Sequence, residues 1–256
     1  MEAAQGLTNV KGLYMRGFRV EKERYILHEL SLCANKRVLH VGCTNSPTTV
    51  GRWRRGNLLH DKLCKLAKEI NAKVIGIDID DSAIAFLRQK MPGEIIEHVD
   101  AHKLSDYFTG DDRFDLIIAG DVIEHLPNPG IFLESCARVL APTGKITIST
   151  VNSFGVTRFV KALVFHEAVH SEHTAYYSHK TMKRLLEMSG LEGREFGYYR
   201  YPEGVSRPTL NHIVSTFIDT ATGIIWPNLS EGVIVNAYLT KLPGSVDPPS
   251  PPGVTA

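Results

Sequence analysis

A rhythm of strand-length apolar runs, each stopped by a glycine or an acid, constrains this chain more than any other feature. Val38 to Val41 ends at Gly42, and Val74 to Ile77 ends at Asp78. Ile95 to Val99 ends at Asp100, and Phe114 to Ala119 ends at Gly120-Asp121; Ile146 to Ile148 begins a fifth run. Strands that are apolar on both faces belong to a sheet covered on both faces. Helical segments separate most of these runs, so the sheet is expected to be parallel, of α/β class, with right-handed crossovers.

The intervening segments carry the helical period. Leu59, Leu63, Leu66 and Ile70 share one helical face. Asp81 or Ser82 is placed to cap a helix bearing Ile84, Leu87 and Met91, which Pro92-Gly93 ends. Asn128-Pro129 starts a helix burying Phe132, Leu133, Cys136, Val139 and Leu140. A further helix is expected from Val20 to about Leu32, ahead of the first strand.

Beyond residue 151 the pattern changes. Val156, Phe159, Val160 and Leu163 suggest a short helix, and residues 166–177 form a polar, histidine-rich loop. Ser178 caps a helix with Met182, Leu185 and Leu186 that stops at Gly190, and residues 191–199 read as a strand. Leu210 to Ala221 is amphipathic at helical spacing, and Val233, Val235, Ala237 and Leu239 alternate as a last strand. The expected organisation is a helical segment at 1–36, one domain at 37–242 with cap elements at 152–180 and 200–230, and a disordered proline-rich tail at 243–256.

Charge narrows the partners. A net charge of +1 argues against a nucleic-acid groove built on bulk electrostatics; Arg52, Arg54 and Arg55 could form a local basic patch but read better as a solvated loop. The four cysteines, Cys33, Cys43, Cys64 and Cys136, form no C-x-x-C pair and fit reduced thiols. With a polar start and no apolar run of membrane-spanning length, a cytoplasmic protein is expected.

Open parallel sheets bind ligands beyond the carboxyl ends of their strands. Four consecutive strand ends carry ligand-suited groups here: Gly42-Cys43-Thr44, Asp78, Asp100-Ala101 and Gly120-Asp121. A glycine permits a tight turn and close approach, and a carboxylate accepts from both hydroxyls of a ribose. Singly, each has an ordinary structural reading; their succession is the specific signal.

Together, Val38-Leu39-His40-Val41-Gly42-Cys43, Gly76-Ile77-Asp78-Ile79-Asp80 and Phe114 to Leu126 resemble the motifs of the class I S-adenosylmethionine-dependent methyltransferases, over roughly residues 20–200. The later stretch, His170 to His173 with Tyr177-Ser178 and Gly190-Leu191, is similar to small-molecule and polysaccharide-associated members. The resemblance implies a Rossmann-like, mostly parallel seven-stranded sheet with helices on both faces. Its last strand, fitted by residues 231–240, is antiparallel. It implies S-adenosylmethionine as cofactor, held by His40, Gly42, Cys43, Thr44, Asp78, Ile79, Asp100, Ala101, Gly120 and Asp121. Three positions depart from the family: His40 stands where an acid is usual, and Thr44 and Ser46 stand where glycines are usual.

The implied reaction moves a methyl group to a hydroxyl or amine of a small molecule or glycan precursor. A hydroxyl acceptor needs a base, and His173 and His125 are the candidates. Their alternatives are structural: His125 as packing at the cofactor's edge, and His173 as an order-giving loop residue. Asp121, Glu124 and His125, at D-x-x-E-H spacing, are similar to a divalent-metal site in the ubiquinone-biosynthesis O-methyltransferases and form an Mg²⁺-binding alternative. The same letters occur in members without metal, so a metal is not the favoured reading. A second grouping, His170, Glu172 and His173, reads better as a polar lid.

Two rival functions stand beside this one. A nicotinamide-dependent oxidoreductase normally needs G-x-G-x-x-G for the pyrophosphate, and no second glycine follows Gly42. A non-catalytic member, kept as a binding or partner subunit, is favoured by His40, Thr44 and Ser46. The cap elements at 152–180 and 200–230 are expected to determine the acceptor; their aromatic residues, among them Tyr176, Tyr177, Tyr201 and Trp226, suit stacking on a sugar or aromatic ring, though most read as packing.

Overall fold

The computed structural model describes residues 19–110, 112–163, 165, 167, 169–200 and 225–240. In chain order its elements are β1 (Arg19–Val20), α1 (Lys22–Ser31), β2 (Arg37–Val41), α2 (Thr49–Arg54), α3 (Leu59–Glu69), β3 (Lys73–Asp78), α4 (Asp81–Lys90) and β4 (Ile95–His98). There follow α5 (Leu104–Tyr107), β5 (Phe114–Gly120), α6 (Pro129–Val139), β6 (Leu140–Val151), α7 (Val156–Leu163), α8 (His179–Met188), β7 (Leu191–Tyr199) and β8 (Gly232–Leu239).

The strands form one sheet in the order β1-β7-β8-β6-β5-β2-β3-β4. Every described pairing is parallel except those of β8, which runs antiparallel to both β6 and β7. This is the mostly parallel α/β sheet that the apolar runs imply, with an antiparallel last strand. One strand is added. Arg19–Val20 pairs with Tyr198–Tyr199 at the sheet edge, making eight. Val20, read from sequence as the start of a helix, lies in that strand, and α1 begins at Lys22.

Alternation along the strands splits the core in two. Leu39, Val41, Ile75, Ile77, Ile117 and Ala119 face one side, against Phe132, Leu133 and Cys136 of α6 and Met182 and Leu186 of α8. Val38, Val74, Leu116 and Ile118 face the other, against Ile26 and Leu30 of α1, Leu63 and Ala67 of α3, and Ile84 and Leu87 of α4. Each of the valine, leucine, isoleucine, phenylalanine and methionine side chains among these, once fully buried, contributes about 1.5–3 kcal/mol. The four cysteines are free and buried.

Helix starts follow the capping residues with one shift. Ser178 accepts from the Thr181 amide in a reciprocal capping box. Pro129 opens α6 behind Asn128, whose side chain makes no cap bond. On α4 the cap is Asp80, not Asp81 or Ser82, because its carboxylate reaches both the Ser82 and Ala83 amides.

The strand order reverses at β2. Val41 pairs with Ile77 on one side and Ala119 on the other, so Gly42, Asp78 and Gly120 leave the sheet level with one another. Among the described residues no helix is long and apolar enough to cross a membrane. The expected helix over Leu210–Ala221, most of the second cap element, and the tail at 243–256 lie outside the described residues.

Candidate functional site

Gly42 makes the first turn with φ of +73°. A Cβ there would lie 2.6 Å from a methyl of Val122, so only glycine fits. The turn is fastened to β3, since the Gly42 and Cys43 amides both donate to the Ile77 carbonyl, at 2.9 and 3.1 Å. Asp78 lies beside it. One carboxylate oxygen, Oδ2, accepts from the Thr44 amide at 3.0 Å and the Thr44 hydroxyl at 2.7 Å. The other, Oδ1, accepts from the amides of Ile79 at 2.8 Å and Asp80 at 3.2 Å. Ser46 donates to Asp80. That bond comes first, ahead of those from Ser82 and Ala83, in holding the Asp80 carboxyl at about 2.

Ile79 is 65% exposed at this rim. Asp100, also exposed, accepts from the His102 amide at 2.9 Å; that bond is the main cause of its lowered pKa. Ala101 is buried behind it.

His40 and Cys43 point their side chains under the turn. His40 Nδ1 lies 3.1 Å from His60 Nδ1 of α3, and both rings are buried. Burial, with His60 next to it, drives the His40 pKa well below the usual histidine value. Gly76 makes room for this cluster: a Cβ there would lie 2.6 Å from the His60 ring and 2.9 Å from Cys43 Sγ. His40 is therefore a neutral core group.

Asp121 follows β5 with φ of +54°. That backbone turns its carboxylate toward three donors: Lys22 of α1, Tyr199 at 2.7 Å and Ser149 at 3.1 Å. Burial pushes the Asp121 pKa up, but the Lys22 ammonium and these hydrogen bonds outweigh it and hold the group ionised. Lys22 also lies 5.2 Å from the Tyr199 ring centre. Neither Lys22 nor Tyr199 carries a sequence signal for this role, since both reach Asp121 only through the sheet order.

Glu124 is fully buried in the short 3₁₀ turn Ile123–His125. Its Oε2 accepts from Thr150 at 2.8 Å, and its Oε1 has no partner among the described residues. Burial, then the charge of Asp121, pushes its pKa up to about 8. The histidine loop docks on this turn, with the Thr174 amide donating to the Glu124 carbonyl at 2.7 Å. The docking sets His173 edge-on to His125, ring centres 4.6 Å apart, with His170 at 4.8 Å and Tyr176 at 5.5 Å. Burial first, then His125 and His170, pushes the His173 pKa down to about 4. Its buried Nδ1 has no partner among the described residues.

One ligand atom from each of Glu124, His125 and His173 lies within 4.8 Å of the others. This set differs from the D-x-x-E-H spacing. Asp121 is engaged by Lys22, Tyr199 and Ser149, and His173 arrives from a distant loop.

A family model described as a methyltransferase domain matches residues 16–195. The chain is 29% identical over 147 residues to a ubiquinone biosynthesis O-methyltransferase of Bradyrhizobium diazoefficiens, covering 54% of this chain and 49% of that one. It is 27% identical over 190 residues to a probable S-adenosylmethionine-dependent methyltransferase of Mycolicibacterium smegmatis, covering 73% and 64% respectively. The matches thus span about half to two thirds of these relatives' length. Among solved structures, an S-adenosylmethionine-dependent methyltransferase from Archaeoglobus fulgidus is similar with a TM-score of 0.56 at 19% identity, covering 84% of this chain and 90% of that one.

Proposed function

The chain belongs to the methyltransferase-domain family, and from that membership we propose that it transfers a methyl group from S-adenosylmethionine to a hydroxyl, or an amine, of a small molecule or glycan precursor. The observation that carries this reading is the level exit of Gly42, Asp78 and Gly120 at the reversal of the sheet. Gly42 gives backbone approach, Asp78 is the ribose acid, and Ile79 and Asp100 border the base. When bound, the cofactor supplies a methyl carbon on a sulfonium leaving group. The protein's work is then alignment, exclusion of water and disposal of a proton.

His173 suits the last task. It is neutral at pH 7, and its Nδ1, buried and without a hydrogen-bond partner among the described residues, is the nitrogen left to take up the proton that an attacking hydroxyl gives up. The loop is fastened beside this spot through the Thr174 amide, which donates to the Glu124 carbonyl.

A second reading is favoured by one observation, the convergence of Glu124, His125 and His173, two of which carry a buried atom without a partner among the described residues. These residues fit a divalent cation that would orient the acceptor. Two imidazoles and one carboxylate suit a first-row transition ion better than Mg²⁺.

Calorimetry with S-adenosylhomocysteine tests the main proposal. Binding is expected, and Asp78→Ala should weaken it by about 1–3 kcal/mol, the loss of bonds to a charged acceptor. Tight binding of NAD with none of the adenosyl ligand would overturn it.

A further inference from the structure

Both residues that stand in place of glycines in the first turn carry hydroxyls, and both hydroxyls are bonded to acids at the end of β3. Thr44, fully buried, donates its hydroxyl and its amide to one oxygen of Asp78, at 2.7 and 3.0 Å. The amides of Ile79 and Asp80 occupy the other oxygen. A carboxylate offers about four acceptor sites. Those of Asp78 are thus filled from within the protein. Ser46 reinforces the arrangement, since its hydroxyl donates to Asp80 and its amide to the Thr44 hydroxyl at 3.3 Å.

Resting on the reading of this crevice as the S-adenosylmethionine site, we propose that Thr44 is a positioning residue that sets cofactor affinity, because its hydroxyl holds the place on Asp78 that a ribose hydroxyl takes. Binding then exchanges one hydroxyl–carboxylate bond for another. Without the Thr44 hydroxyl, the ribose bond forms at an open acceptor and counts in full. The same exchange makes the turn tighter in the free protein than in the bound one. It also gives the substitutions at Thr44 and Ser46 a physical consequence: they tie the two motifs together when no nucleoside separates them.

Titration calorimetry and thermal melts on the wild type, Thr44→Ala and Thr44→Ser test this, with S-adenosylhomocysteine and methylthioadenosine as probes. The second probe has the ribose but lacks the amino-acid end. Thr44→Ala is expected to melt lower without ligand yet bind both probes more tightly, by a common factor of about 3- to 10-fold, the equivalent of one net hydrogen bond. Thr44→Ser should return both properties toward the wild type. Unchanged or weaker binding by a folded Thr44→Ala overturns the proposal, as does tightening confined to S-adenosylhomocysteine. If Thr44→Ala does not fold, the isosteric Thr44→Val carries the same expectations. Failure of every form, wild type included, to bind either probe would instead remove the cofactor reading on which this one rests.

Discussion

His173 and Glu124 are neighbours whose surroundings push their pKa values in opposite directions, one down to about 4 and the other up to about 8. At neutral pH the imidazole is a free acceptor and the carboxyl holds a proton. If His173 is the base, His173→Ala should lower turnover with a hydroxyl acceptor by about 10²-fold or more, with a smaller loss for an amine. The rate should stay flat as pH falls from about 8 to about 5 and drop only near the imidazole's lowered pKa, where it becomes protonated. Assays in chelator separate the two readings. Turnover that persists supports the base; turnover that vanishes and returns with added divalent metal supports the cation. Wild-type turnover in His173→Ala would sink both roles for this side chain. The residues at the strand ends were legible because each closes an apolar run. Lys22 and Tyr199 were not, since they lie 99 and 78 positions from Asp121 and meet it only after the sheet forms.

Elements with a strong period or a local cap were readable in outline: α3 from its four-residue spacing, and α8 from Ser178. Ser178→Ala should therefore cost about 0.5–2 kcal/mol in chemical denaturation, with the m-value unchanged. An unaltered midpoint would mean the box adds nothing to stability. The strand β1 escaped notice because two residues carry no period, and its pairing with β7 is tertiary. The cap of α4 moved by one or two positions because three adjacent residues, Asp80, Asp81 and Ser82, are all good caps, and only the geometry selects among them. The loop that supplies His173 was legible as polar and histidine-rich, but its docking through Thr174 onto the Glu124 carbonyl rests on a long-range contact with no local pattern.

On the scale of the whole molecule, the buried His40–His60 pair couples stability to pH. Burial is the main cause holding His60 at about 4 in the folded chain, against an ordinary 6.5. The unfolded chain takes up a proton near 6.5 that the folded chain refuses until about 4, so this contribution is complete above 6.5 and declines as pH falls through that window. Glu124 acts with opposite sign: its raised pKa favours the folded state at low pH and loses that contribution as pH rises from 4.5 to about 8. The comparison that isolates His60 is therefore wild type against His60→Asn. The stability advantage of the wild type should shrink by about 2 kcal/mol between about pH 7 and about pH 5. A constant difference across that range would mean that His60 is not held neutral.

The position of β8 has a consequence for the order of assembly. It is the last of the described strands in the chain, yet it lies between β6 and β7 and is bonded to both. Within the sheet, β7 and the edge strand β1 are joined to the rest only through it. During synthesis, each strand from β3 to β6 meets a partner that has already been made. The polypeptide carrying Tyr199, and with it the hydroxyl that fixes Asp121, must wait for Gly232–Leu239 before it is zipped into place. A nascent chain halted short of that strand would have the level ends of β2, β3 and β5 in place, with Tyr199 not yet brought to Asp121.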